Sequence, residues 1–164
     1  MKSWLALSLA CATVACAPSV QVTVEPGADF SAYGTYAVVP SPESTAFVQR
    51  VVEETVSAEL DRRGYSAAPV GRNDLLVVVR SRAAPASRQV FAETPGGCCE
   101  VEEYIAKALV IEIFDAARGV RIFRGATESE LDSTSEQEVG AAIRRSVRAI
   151  LTELPAGSPT PIAQ

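Results

Sequence analysis

The sequence predicts an α+β domain: an antiparallel or mixed sheet with two helices packed on one face. Three observations predict it. Short runs alternate apolar and polar residues, as half-buried strands do. Two longer segments, 44–63 and 135–154, carry apolar residues at helical spacing. The order is β-β-α-β-β-β-α, so strands come in runs rather than alternating with helices, which favours α+β over a doubly wound parallel sheet.

Residues 20–25 (VQVTVE) alternate and form the first strand; Pro26-Gly27-Ala28-Asp29 reads as a turn. Residues 33–39 form the second strand, ended by Pro40 and Pro42. Ser44 is placed to cap a helix reaching Arg63. Val48, Val51, Val52, Val56 and Leu60 supply its apolar stripe, and Gly64 follows as a C-terminal stop. Its β-branched residues lower local propensity, so packing must supply most of its stability.

After Asp74, the run Leu75-Leu76-Val77-Val78-Val79 suits a central strand covered on both faces. Residues 83–103 contain Ala, Pro and Gly and read as a long connection. Residues 105–114 form a strand with Leu109, Ile111 and Ile113 on one face. A hairpin loop at 115–119 leads to its partner, 120–127. Ser135 and Glu138 fit a capping box. Val139, Ala142, Ile143, Val147, Ile150, Leu151 and Leu154 then make one stripe, stopped by Pro155. Ile143, Val147 and Ile150 are expected to meet the sheet through Ile111 and Ile113.

The ends speak to location. Lys2 is the only charge before Glu25, and residues 4–15 are apolar or small. This is a signal-peptide pattern, shorter than the roughly 20 apolar residues a spanning helix needs. Cys11 follows Ser8-Leu9-Ala10, and Cys16 follows Thr13-Val14-Ala15. A small residue before a cysteine resembles the bacterial lipoprotein signal, although neither site has the usual Leu three residues earlier. Cys16 leaves the fuller apolar segment and is the preferred lipidation site, with Cys11 the alternative. Plain secretion, with cleavage near Ala15 or Ala17, is the competing reading. Ala17, rather than Asp, favours the outer membrane. The expected organisation is signal peptide 1–15, acylated tether 16–19, one domain over 20–155 and a disordered polar tail over 156–164. The expected location is the periplasmic face of the outer membrane, held through the N-terminal lipid.

Composition excludes several function classes. An apolar fraction of 48% argues against disorder. The formal net charge of −5 becomes more negative when Lys2 is removed, so phosphate backbones repel the mature chain and nucleic acid is not an expected partner. There is no histidine, which removes the commonest general base and metal ligand. G-x-S-x-G and glycine-rich phosphate loops are also absent. No enzyme activity, catalytic residue, metal or cofactor is expected.

Several motifs occur in a fixed order: DFSAYGTYAVVP at 29–40, L-x-x-R-G-Y at 60–65, NDLLVVV at 73–79 and LVIEIFDAARGVRIFRGAT at 109–127. With the final helix ending at Leu154-Pro155, they resemble the bacterial lipoproteins grouped as domain-of-unknown-function family 4136. The resemblance covers roughly residues 20–155. One departure is Phe123, where the family usually has Trp before Arg124-Gly125. The resemblance implies an α+β envelope domain and transfers no catalytic residue.

Candidate sites remain. Cys98 and Cys99 are adjacent. Neighbouring Cα atoms lie about 3.8 Å apart, whereas relaxed disulfides span about 4.4–6.8 Å, so a bond between them would be strained and easily reduced. They are a candidate redox or soft-metal pair; the plainer reading is a stiffened loop. No third Cys or His lies nearby to complete a zinc site. Glu93, Glu100, Glu102 and Glu103 bracket them and are candidate cation ligands, candidate acid/base groups or simply solvated. Arg144, Arg145 and Arg148 lie outside the last helix's stripe. They are a candidate contact surface for peptidoglycan carboxylates or lipid phosphates, or a solvated face. Glu59 falls within the first helix's stripe, where a pocket-facing acid competes with one reaching water. Phe30, Tyr33, Tyr36, Tyr65 and Tyr104 either line a pocket or pack as core. The leading reading is a non-enzymatic binding or scaffolding domain whose partner is an envelope protein or peptidoglycan. The alternative is a redox- or metal-responsive protein using Cys98 and Cys99.

Overall fold

A computed structural model describes residues 19–39, 41–90, 100–130 and 135–156. Its elements are β1 (Val20–Val24), a 3-10 turn (Phe30–Ala32), β2 (Thr35–Val39), α1 (Ala46–Arg62), β3 (Ser66–Ala67), β4 (Leu75–Val90), β5 (Glu100–Asp115), β6 (Val120–Glu130) and α2 (Glu136–Thr152). The six strands form one sheet in the order β1-β6-β5-β4-β2-β3. β2 runs parallel to β3 and β4, and every other pair is antiparallel. The sheet is therefore mixed, because α1 carries the chain over one face between the parallel strands β2 and β4.

Alternation assigns the faces. Leu75, Val77, Val79, Leu109, Ile111, Ile113 and Phe123 point toward the helices and are buried. They pack with Val52, Val56 and Leu60 of α1 and with Val147, Ile150 and Leu151 of α2 in one core. Val147, Ile150, Ile111 and Ile113 thus meet as the periodicity predicts. Ile143 departs from that expectation, being only partly buried at the edge of the core. The centre of the α2 stripe lies one turn further on.

Other departures have local causes. Thr45, not Ser44, caps α1, accepting a hydrogen bond from the Val48 N–H at 3.3 Å. Ser135 stands at the α2 N-cap, but its side chain makes no capping hydrogen bond. The 75–79 run lies inside the sheet between β2 and β5, but among the described residues a helix layer covers one face only. Leu76 and Val78 are half-buried on the other face. Within the long connection read at 83–103, the described residues are strand: β4 and β5 stay paired out to Val90 and Glu100. Pro85 is tolerated because β4 beyond Val78 has no partner on its other side among the described residues. β3 is too short for periodicity to reveal.

A bulge shapes β6. Ile113 pairs with Phe123 and Phe114 with Arg121, so Ile122 is the extra residue. Ile122 and Phe123 are consequently both buried. The carbonyl of Ile122 accepts the Glu25 N–H at 2.9 Å, which fastens the end of β1. Further along β6, Gly125 faces α2, and a Cβ built there would overlap Cγ2 of Ile150. Sheet and helix approach closely at this point because the residue has no side chain.

Candidate functional site

The family-like motif residues converge at one end of the sheet, and their bonds are structural. Asp74 Oδ2 accepts the Gly34 N–H (2.9 Å), the Thr35 N–H (2.9 Å) and the Thr35 hydroxyl (2.8 Å). This ties the start of β2 to the start of β4. The Gly34 amide, followed by the Thr35 groups, holds the Asp74 carboxyl below its usual range. Beside it, Asp115 accepts the Tyr33 hydroxyl at 2.9 Å, the Arg118 N–H at 2.8 Å and the Arg118 Nε–H at 2.6 Å. Arg118 also donates to the Tyr33 hydroxyl at 3.0 Å. Burial alone pushes the Asp115 carboxyl up, but the Arg118 and Tyr33 donors outweigh it and hold the pKa at about 2.

A pH dependence follows from that shift. A depressed carboxylate stabilises the fold fully above its unfolded value near 3.8 and loses that contribution as pH falls toward 2. The denaturation midpoint should drop between pH 4 and 2, and Asp115→Asn should flatten that slope. An unchanged slope in the variant would place the acid sensitivity elsewhere.

The aromatic candidates are framework too. Tyr36 donates to Asp61 at 3.0 Å, and Tyr65 donates to the Pro155 carbonyl at 3.1 Å. Burial pushes the Tyr65 hydroxyl up to about 12. Phe30 lies in the core, edge-on to Tyr33. The side chain of Tyr104 lies outside the described residues.

Glu59 does not reach water. It is buried, with Arg62 Nη1 at 2.7 Å and Arg148 Nε at 3.3 Å. Arg148 therefore ties α2 to α1. Arg145 is exposed and Arg144 half-buried. Cys11, Cys16, Glu93, Cys98 and Cys99 lie outside the described residues, as do the side chains of Glu100, Glu102 and Glu103.

Sequence reading missed a site on the sheet face away from the helices. Glu112 stands between Ile111 and Ile113, so alternation turns it to that face. There it is only 7% exposed, with no helix above it among the described residues. Arginines enclose it: Arg121 Nη1 donates to Oε1 at 2.7 Å, and Arg80 Nη1 lies 3.4 Å from Oε2. Arg124 is its cross-strand neighbour on β6. β2 stops at Val39 while β4 continues, so the chain at 41–43 walls off a groove of about 570 Å³. Arg80, Ser81, Val110, Glu112 and Arg124 line its floor, and Ser41, Pro42 and Glu43 its side. A lone Glu amid the apolar run 109–114 was the only sequence signal for it.

Fold and site together define an α+β domain with helices on one sheet face and a charged groove on the other. A family model, Domain of unknown function (DUF4136), matches residues 20–156, and the chain belongs to that family. No curated protein matches the chain in sequence. Among solved structures, a PDZ domain protein from Parabacteroides distasonis superposes with a TM-score of 0.62 at 15% identity. The match covers 90% of this chain and 36% of that one, so this chain spans about a third of the length of that protein. A PelC dodecamer from Paraburkholderia phytofirmans gives a TM-score of 0.50 at 12% identity, covering 84% and 98%. At these identities the likeness is one of fold.

Proposed function

We propose that this chain is a lipid-anchored envelope protein, held by Cys16 at the periplasmic face of the outer membrane, whose domain binds a partner rather than catalysing a reaction. The observation that carries the binding reading is the groove on the uncovered sheet face. Its arginines are arranged as a guanidinium surface around a buried, ion-paired carboxylate, which suits holding an anionic group.

Chain geometry supports the anchor. β1 begins at Val20, so Cys16 and the first sheet residue are separated by a tether no longer than about 14 Å. No helix among the described residues is long and apolar enough to cross a membrane. A multiply acylated cysteine would supply the two or more chains that stable anchoring needs.

Palmitate labelling and membrane fractionation in cells test this. Cys16→Ser should abolish labelling and leave either a released domain or an unprocessed precursor. Labelling that survives Cys16→Ser and disappears in Cys11→Ser would move the anchor to Cys11. Absence of labelling in the unsubstituted protein would remove the lipid reading altogether. Crosslinking in intact cells would then identify what the groove side of the domain contacts.

A further inference from the structure

We propose that the groove between residues 41–43 and the open face of β4, β5 and β6 binds the terminal carboxylate of an extended peptide, with Arg80 and Arg124 as its cationic receptors. The inference deepens the binding reading above and rests on it.

Charge is the first argument. The chain carries a net −5, yet Arg80, Arg121 and Arg124 gather around the single buried carboxylate of Glu112. Arg121 makes the short, hydrogen-bonded pair. Arg80 sits at the looser 3.4 Å, and Arg124 has no ion-pair partner among the described residues. Within the groove, Arg80 and Arg124 stand against the one buried carboxylate of the floor, so the floor carries a single excess positive charge. Glu112 is too buried to present itself to a ligand and instead anchors the arginines that do. A guanidinium offers a planar fork of N–H donors, which matches an oxyanion better than a point charge would.

Shape and edge chemistry choose the ligand. The groove opens where β4 loses its β2 neighbour, so past Val78 the outer edge of β4 has no strand partner among the described residues. Residues 41–43 stand beside Arg80 and Ser81, so an extended chain would pair with β4 beyond Ser81 and direct its end group back to the arginines. Glu43 on the side wall disfavours a polyanion and suits a ligand that carries an amine near its carboxylate. An anionic headgroup surface would also be repelled by the net charge of the chain.

Calorimetric titration of the full-length protein in detergent, with the tripeptide Lys-Ala-Ala, tests the proposal. The free acid should bind saturably. The C-terminal amide should bind at least about tenfold more weakly, the loss of one charge-assisted fork. Arg124→Ala should cost the free acid a similar factor at an unchanged thermal midpoint. Arg124→Lys, which keeps the charge without the fork, should also weaken binding, and it covers the case in which the alanine variant does not fold. Equal binding of acid and amide, absence of saturable binding, or full affinity in Arg124→Lys would each overturn the assignment. Inorganic phosphate binding as tightly as the acid would replace the peptide with a phosphate ligand. All these outcomes are independent of the lipidation test at Cys16.

Discussion

Replacing Gly125 with Ala should destabilise the domain by about 1–3 kcal/mol, and with Val by more. The added Cβ overlaps Ile150 Cγ2 and lies 3.2 Å from Phe123 Cε1. Ile150 cannot swing away. It is β-branched, it sits in a helix where one χ1 rotamer dominates, and it is fully buried. Ile150→Ala alone should cost about 2–5 kcal/mol, because it leaves a cavity under α2. In the double variant the new methyl occupies part of that cavity, so the combined loss should fall well below the sum of the two. Chemical denaturation of the four proteins measures the coupling. Strictly additive losses would mean that Gly125 and Ile150 do not share this space.

Phe123 gives the second large effect. It is 1% exposed and occupies the helix face beside the bulge. Truncation to Ala should cost about 3–5 kcal/mol. Phe123→Trp asks whether this site has room for a larger ring. The closeness of Phe123 to the space above Gly125 says that it does not, and overpacking should cost about 1–3 kcal/mol. A neutral or stabilising Trp, read from the denaturation midpoint, would show an open slot and refute that packing.

Much of the fold was legible because burial writes its period into the chain. Val147, Ile150 and Leu151 fall on one helical face, and Ile111 and Ile113 alternate toward it; both patterns hold in the structure. The sequence also placed both helices on one side of the sheet. What escaped it was fixed by contacts distant along the chain. Pro85 read as a breaker because nothing local shows that β4 has become an edge strand there. Glu59 is indistinguishable in sequence from a solvated edge residue until Arg148, on the other helix, is seen beside it.

The site was less legible still. The groove joins residues 41–43, 80–81, 110–112 and 124, which only the strand order brings together. Arg144, Arg145 and Arg148 looked like a cluster on α2, yet Arg148 is committed to Glu59. The motif residues Tyr33, Thr35, Asp74 and Asp115 stood out in sequence for a different reason: their hydrogen bonds tie the starts of β2 and β4 and the end of β5 together.

The position of β1 has a mechanical consequence. It is the outermost strand beside β6, antiparallel to it, and the chain enters it at Val20. A force applied through the preceding residues and directed along the strand loads Val20 through Val24 together, in shear, rather than peeling them one at a time. The Glu25–Ile122 hydrogen bond sits at the far end of that short zipper and is shielded until the strand slides as a whole. A domain tugged by its N-terminus along this direction would resist as a latch; pulled sideways, away from β6, the same five residues would open in sequence at lower force.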